Sequence, residues 1–153
     1  MAEWTANAAQ TVNPGESVVF TENPVPCTRG FIRHRDGSGN FLLAGRVPRY
    51  SCGCSPKSAV YLVDFGANIA IPTGGTVGAI TVVITIDGAT IPSGQMEVTP
   101  TAVEEYSNVS KAINAQVWAG CCETVTIRNT SDQPILVQNA NVIFSRPDLA
   151  VTR

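Results

Sequence analysis

The chain has 153 residues, 44% of them hydrophobic and only 14% charged, with a formal net charge of −2. That length suits one domain with a sizeable core, and the charge fraction is well below the roughly 25% of an ordinary soluble domain. The one dense basic stretch is Arg29, Arg33, His34 and Arg35, with Arg46 and Arg49 further on and Asp36 inside it. Nucleic-acid binding needs a clustered basic surface that releases counterions, so it is not an expected function. No apolar run approaches the roughly 20 residues that span a bilayer, and membrane insertion is not expected either.

In chain order, residues 1–12 read as a polar, Ala/Asn-rich leader and assembly arm. Residues 13–147 read as the folded domain, and 148–153 as a tail. The start, Met1-Ala2-Glu3-Trp4-Thr5, lacks the basic and apolar regions of a signal peptide. Synthesis without a signal peptide is the expectation, with a final place on an extracellular surface of spore or virion type. A surface this poor in charge is either covered by partners or built from Thr, Ser and Asn, and composition leaves both open.

Strand signals dominate. Ser17 to Thr21 is β-rich and follows an Asn13-Pro14-Gly15 turn. Gly30 to His34 alternates, Asp36-Gly37-Ser38-Gly39 turns the chain, and Phe41 to Leu43 returns. Ala59 to Phe65 is a mostly apolar strand, and Val77 to Ile86 alternates with dense β-branching before an Asp87-Gly88 turn. Met96 to Val98 reads as a short strand. Val103 to Val117 reads as a strand with a bend rather than a helix, because Asn108, Val109 and Ser110 interrupt helical spacing. Thr124 to Arg128, Ile135 to Val137 and Ala140 to Phe144 complete the pattern. About eight to ten strands with a turn signal about every ten residues predict an all-β, antiparallel two-sheet sandwich. A double-sheet jelly roll that oligomerises is one way to protect its edges.

Several segments, in order, resemble the C1q/TNF-like jelly roll, in particular the bacterial branch of exosporium collagen-like glycoprotein C-terminal domains. They are Val18-Val19-Phe20 followed by Gly30 to Leu43, Tyr61-Leu62-Val63-Asp64-Phe65, Ile84 to Gly88, and Val125 to Asn129 followed by Asn141 to Phe144. The resemblance spans about residues 17–146. It departs from the family in lacking a collagen-like stalk, in Ser58 or Ala59 where a glycine is usual, and in its Cys52-Gly53-Cys54 and Cys121-Cys122 elements. It implies a homotrimer that buries aromatic and aliphatic strands at a three-fold axis.

Five cysteines, Cys27, Cys52, Cys54, Cys121 and Cys122, are an odd number, so a fully oxidised chain must bridge to a partner or keep a thiol. Zinc is a weak reading, because its paired ligands are usually two or more residues apart, and vicinal strand residues such as Cys121 and Cys122 point to opposite faces. Disulfides within or between chains suit that geometry, with Cys27 and Cys54 as candidate intermolecular partners, and free thiols remain the third option. A cysteine nucleophile would need His34, the single histidine, which stands between two arginines in a strand pattern. Asp64 interrupts an apolar strand and either pairs with Arg33 or Arg35 or faces outward. Glu104 and Glu105 are adjacent, a spacing that does not make a glycosidase pair. The Asn108 and Asn129 sequons read as chance. Trp4, Tyr106 and Trp118 are candidate interface anchors or a sugar-stacking surface. Together these readings predict a non-enzymatic, self-assembling jelly-roll subunit of a surface layer, fibre or appendage, with no cofactor. The alternative is a receptor- or carbohydrate-binding head of a spore or phage fibre.

Overall fold

Alternating apolar and polar side chains, read against the two-residue repeat of a strand, account for most elements of the computed structural model, which describes residues 1–49, 53 and 55–149. Eleven strands are present among these: β1 (Ala2–Ala6), β2 (Gln10–Val12), β3 (Glu22–Val25), β4 (Ile32–His34), β5 (Phe41–Ala44), β6 (Ser58–Ala70), β7 (Ile80–Ile86), β8 (Ala89–Val98), β9 (Ser107–Trp118), β10 (Cys122–Asn129) and β11 (Ile135–Ser145). They form two antiparallel sheets. One runs β3-β1-β11-β6-β9, with β2 pairing the start of β11, and the other runs β4-β5-β10-β7-β8. This is the two-sheet antiparallel sandwich predicted from the strand pattern.

The core lies between the sheets. On β6, Ala59, Tyr61, Val63, Phe65, Ala67 and Ile69 face inward and are buried, while Leu62 and Asp64 face outward. From β11, Ile135, Val137, Val142 and Phe144 join them, and the opposite sheet supplies Phe41, Leu43, Ile80, Val82, Ile84, Val125 and Ile127. Each such fully buried aliphatic or aromatic side chain contributes roughly 1.5–3 kcal/mol relative to exposure. On β7 the second face is also covered. Thr85 is fully buried there, and its hydroxyl meets that of Thr126, so the polar group is satisfied.

Residues 1–12, expected as an arm, instead supply two strands of the larger sheet. Ala2 pairs Phe144 and Ala6 pairs Ala140, while Val12 pairs Ile135. The gap between β1 and β2 lies opposite a bulge in β11 between Gln138 and Asn141, where Asn139 takes φ 51° and its N–H donates to Asn7 O at 3.3 Å. That bulge also explains why one long strand reads as two in the sequence. Trp4 is 4% exposed and sits edge-on against Phe41, Phe144 and His34 at centroid distances of 5.1, 5.9 and 5.6 Å. The tail begins as a short 3₁₀ turn, Pro147–Leu149, in which Asp148 accepts from Arg146 Nε and Nη2, each at 2.8 Å.

Candidate functional site

The outer face of the larger sheet follows from the alternation that builds the core. Strand register places Thr5, Asn141, Gly66 and Ser110 in one row across β1, β11, β6 and β9. The next row is Glu3, Ile143, Asp64 and Ala112, followed by Ser145, Leu62 and Asn114, and then by Val60 with Gln116 and Ser58 with Trp118. Across these four strands the charged side chains in the rows are Glu3 and Asp64, and Glu22 on β3 extends the Thr5 row at the sheet edge. Lys111 stands opposite Phe65 on the other parity of β9 and is exposed at the edge of the sandwich.

The polar groups on this face largely satisfy one another. Asn141 Nδ2 donates to Glu3 Oε1 at 3.4 Å, Asn108 Nδ2 donates to Asn68 Oδ1 at 3.1 Å, and Gln116 Nε2 donates to Ser58 Oγ at 2.9 Å. Small side chains keep the surface low. A face of this composition can be covered with little charge to desolvate and few hydrogen-bonding groups orphaned. Asp64 faces outward and is exposed on it, and it pairs with neither Arg33, on β4 of the opposite sheet, nor Arg35, which follows β4.

The candidate anchors do not form one surface. Trp4 is enclosed in the core. Tyr106 is 39% exposed just before β9 and Trp118 is 56% exposed at its far end. Twelve residues of extended chain hold those two roughly 40 Å apart. A single sugar-stacking surface is therefore corrected to two separate exposed rings, because β9 separates Tyr106, just before its start, from Trp118 at its end.

At the Trp118 end, the 118–121 turn is fastened to the strand beside it. Gly45 N donates to Cys121 O at 2.8 Å, Gly120 N donates to Gly45 O at 3.1 Å, and Ala119 N donates to Lys57 O at 2.9 Å. Cys121 and Cys122 are exposed and Cys27 is half-buried, and no bridge joins these three to one another. Cys52 and Cys54 lie outside the described residues. Among the described residues, no three His, Cys, Asp or Glu side chains gather as a metal site. His34 stacks on Phe41 with centroids 4.3 Å apart, and its Nδ1 and Nε2 face the carbonyl oxygens of Asn40 at 3.0 Å and Phe20 at 3.3 Å. Its ring is thus engaged in holding the core. Asn129 is also buried, its amide donating to Val12 O and Gln133 O at 2.9 and 3.0 Å.

Three groups near the sheet ends titrate away from their ordinary ranges. A hydrogen bond shared with Glu123, together with the Thr124 N–H, holds the Asp87 carboxyl low, and the same shared contact pushes Glu123 up. Burial raises the Tyr61 hydroxyl, which donates to Ala44 O at 2.6 Å with Phe31 O at 3.1 Å.

Among solved structures, the chain is similar to the Eiger TNF of S. frugiperda, at TM-score 0.64 and 13% identity, covering 99% of this chain and 93% of that one. It is also similar to the globular domain of zebrafish complement 1qA protein, at TM-score 0.51 and 11% identity, covering 93% and 94% of the two chains. The chain has the C1q/TNF-like jelly-roll fold. No family model matches the sequence, and no curated protein matches it. Within this jelly roll, the sequence-predicted site residues are dispersed, and the outer-face set of Val60, Leu62, Ile143 and Gln116 is not among them. The signal for that set is the strict parity of Ala59 to Phe65.

Proposed function

We propose that this chain is a non-enzymatic jelly-roll subunit that self-associates as a homotrimer through the outer face of its larger sheet. It would act as a building block of a surface layer, fibre or appendage of spore or virion type. The observation that carries this reading is the four-strand face on which Glu3 and Asp64 are the only charges and neighbouring amides and hydroxyls satisfy one another. The exposure of Cys121 and Cys122 supports cross-linking of copies under oxidising conditions.

Sedimentation velocity on the wild type and on the double variant Leu62→Lys/Ile143→Lys tests it. Leu62 is 36% exposed and Ile143 half-buried on the outer face, so both lysines can extend into solvent and the monomer fold is retained. The wild type should sediment as a trimer and the variant as a monomer with unchanged far-ultraviolet circular dichroism. A wild type that stays monomeric over the whole accessible concentration range overturns the reading. The carbohydrate-binding alternative draws on one feature, the exposed Trp118 beside the Gln116–Ser58 hydrogen bond. A glycan array on wild type and Trp118→Ala decides it.

A further inference from the structure

Where β1 begins and β11 ends, the structure has a cavity of about 210 Å³. Its wall includes Cys27, Arg29, Phe31, Ile32, Phe144 and Arg146, so it combines apolar rings with two guanidinium groups. Arg29 and Arg146 thus line one cavity on a chain whose net charge is −2. The single ion pair among the described residues, Arg146 with Asp148, commits one of them.

Arg146 is the unusual member. Its side chain is 6% exposed, and its Cζ lies 5.1 Å from the Phe31 ring centroid and 4.8 Å from that of Tyr61. Nε and Nη2 donate to Asp148, while Nη1 is buried with no acceptor among the described residues. Arginine stays charged at any accessible pH, and a buried charged donor with free hydrogens strongly favours an acceptor oxygen.

We infer that this cavity binds a small organic anion, its carboxylate or phosphate head drawn to Arg146 and Arg29 and its apolar body lying on Phe31, Ile32 and Phe144. The volume is below the 300–1,000 Å³ of sites for drug-sized ligands, so it fits a single ring or a short chain. Charge-assisted hydrogen bonds give the head its preference over a neutral group of the same shape. Phe144 and Tyr61 lie on strands of the larger sheet but turn into the core, and Ser145, which also lines the cavity, ends one outer row; Arg29, Phe31 and Ile32 belong to none of that sheet's strands, so loss of self-association and loss of anion binding are read separately.

The test is a two-dimensional ¹H–¹⁵N NMR titration of the full chain with phenyl phosphate, benzoate and benzyl alcohol, repeated on Arg29→Ala. Arg29 is exposed, so that variant keeps the fold. At least one of the anions should shift the amides of residues 27–32 and 144–149 saturably, benzyl alcohol should not, and Arg29→Ala should raise the midpoint about threefold to fivefold. A response to phenyl phosphate alone assigns a phosphate head, and a response to benzoate alone assigns a carboxylate. No saturable shift with either anion up to about 10 mM overturns the inference. An equal response to benzyl alcohol, or a midpoint unchanged in Arg29→Ala, overturns it as well.

Discussion

Replacing Trp4 with alanine separates a role in folding from a role in assembly. The indole is 4% exposed and touches Phe41, Phe144 and His34 edge-on at 5.1–5.9 Å. Truncating a buried Trp or Phe to Ala costs about 3–5 kcal/mol, which already includes the cavity left behind. Edge-to-face aromatic pairs add about 0.5–1.5 kcal/mol each beyond buried area, and three of them place Trp4 in the upper part of that range, at about 4–5 kcal/mol. For a chain of this size a loss of 1 kcal/mol lowers the melting temperature by about 2–4 °C, so Trp4→Ala should melt about 10–15 °C below the wild type. Thermal unfolding followed by far-ultraviolet circular dichroism at two protein concentrations reads this. The difference from wild type should be the same at both, because the lost contacts lie within one chain. A decrease of less than about 3 °C, with self-association abolished, would refute the packing argument and return Trp4 to an interface.

Three further outcomes follow from the geometry. Gly45→Ala drives a Cβ into Trp118 O and to 2.9 Å from Cys121 O, both backbone atoms with no rotamer to escape through. Losing the two hydrogen bonds there and overpacking the turn should cost about 3–5 kcal/mol in urea unfolding, against about 1–2 kcal/mol for Gly37→Ala, which has open space but φ +74°. Hydrogen bonds from Arg146 hold the Asp148 carboxyl below its ordinary range, so the stability it lends is present above about pH 4 and is lost as pH falls through its folded value. Asp148→Asn should therefore be less stable at pH 7 by about 1 kcal/mol, as solvent screening limits the pair, and the gap should close in acid. The Glu123 carboxyl is raised by its contact with Asp87, so the stability from that shared proton is full below about pH 4.3 and is lost as pH rises through the folded value. Glu123→Gln keeps a donor at every pH, and its urea midpoint should change less than the wild type's over that window.

Strands with strong alternation and β-branching are legible in the amino-acid sequence alone. Ala59 to Phe65, Val77 to Ile86 and Thr124 to Arg128 correspond to β6, β7 and β10, each longer or shorter by a few residues. Residues 2–6 carry the same alternation, Ala2, Trp4 and Ala6 against Glu3 and Thr5, but alanine is a weak strand former and only pairing with β11 reveals it. β3 and most of β8 are hidden by Pro24 and by Pro92 with Gly94. Proline is admissible only because both strands are sheet edges, a fact that depends on topology. Strand count and spacing predict a sandwich, while the order of strands rests on the ordered resemblance of Gly30 to Leu43, Tyr61 to Phe65 and Asn141 to Phe144. The outer face is legible as a parity of β6 but not as a surface, since its rows draw on β1, β6, β9 and β11. The anion cavity leaves no mark in the sequence, because Arg29 and Arg146 come from opposite ends of the chain and are brought to one cavity by the fold.

The pairing of Ala2 with Phe144 has a consequence for how this molecule can be attached to anything. β1 begins and β11 ends at the same pole of the sandwich. The opposite pole holds the loops around Gly15, Gly75 and Gln133, tied together by Gly15 N to Asn129 O and Thr76 N to Gln133 Oε1 at 2.8 and 2.9 Å. A tethered copy would present those loops outward. A short linker between the two neighbouring strand ends would close the backbone into a ring, which could then be reopened at the Asp36-Gly37 turn without cutting a strand of either sheet.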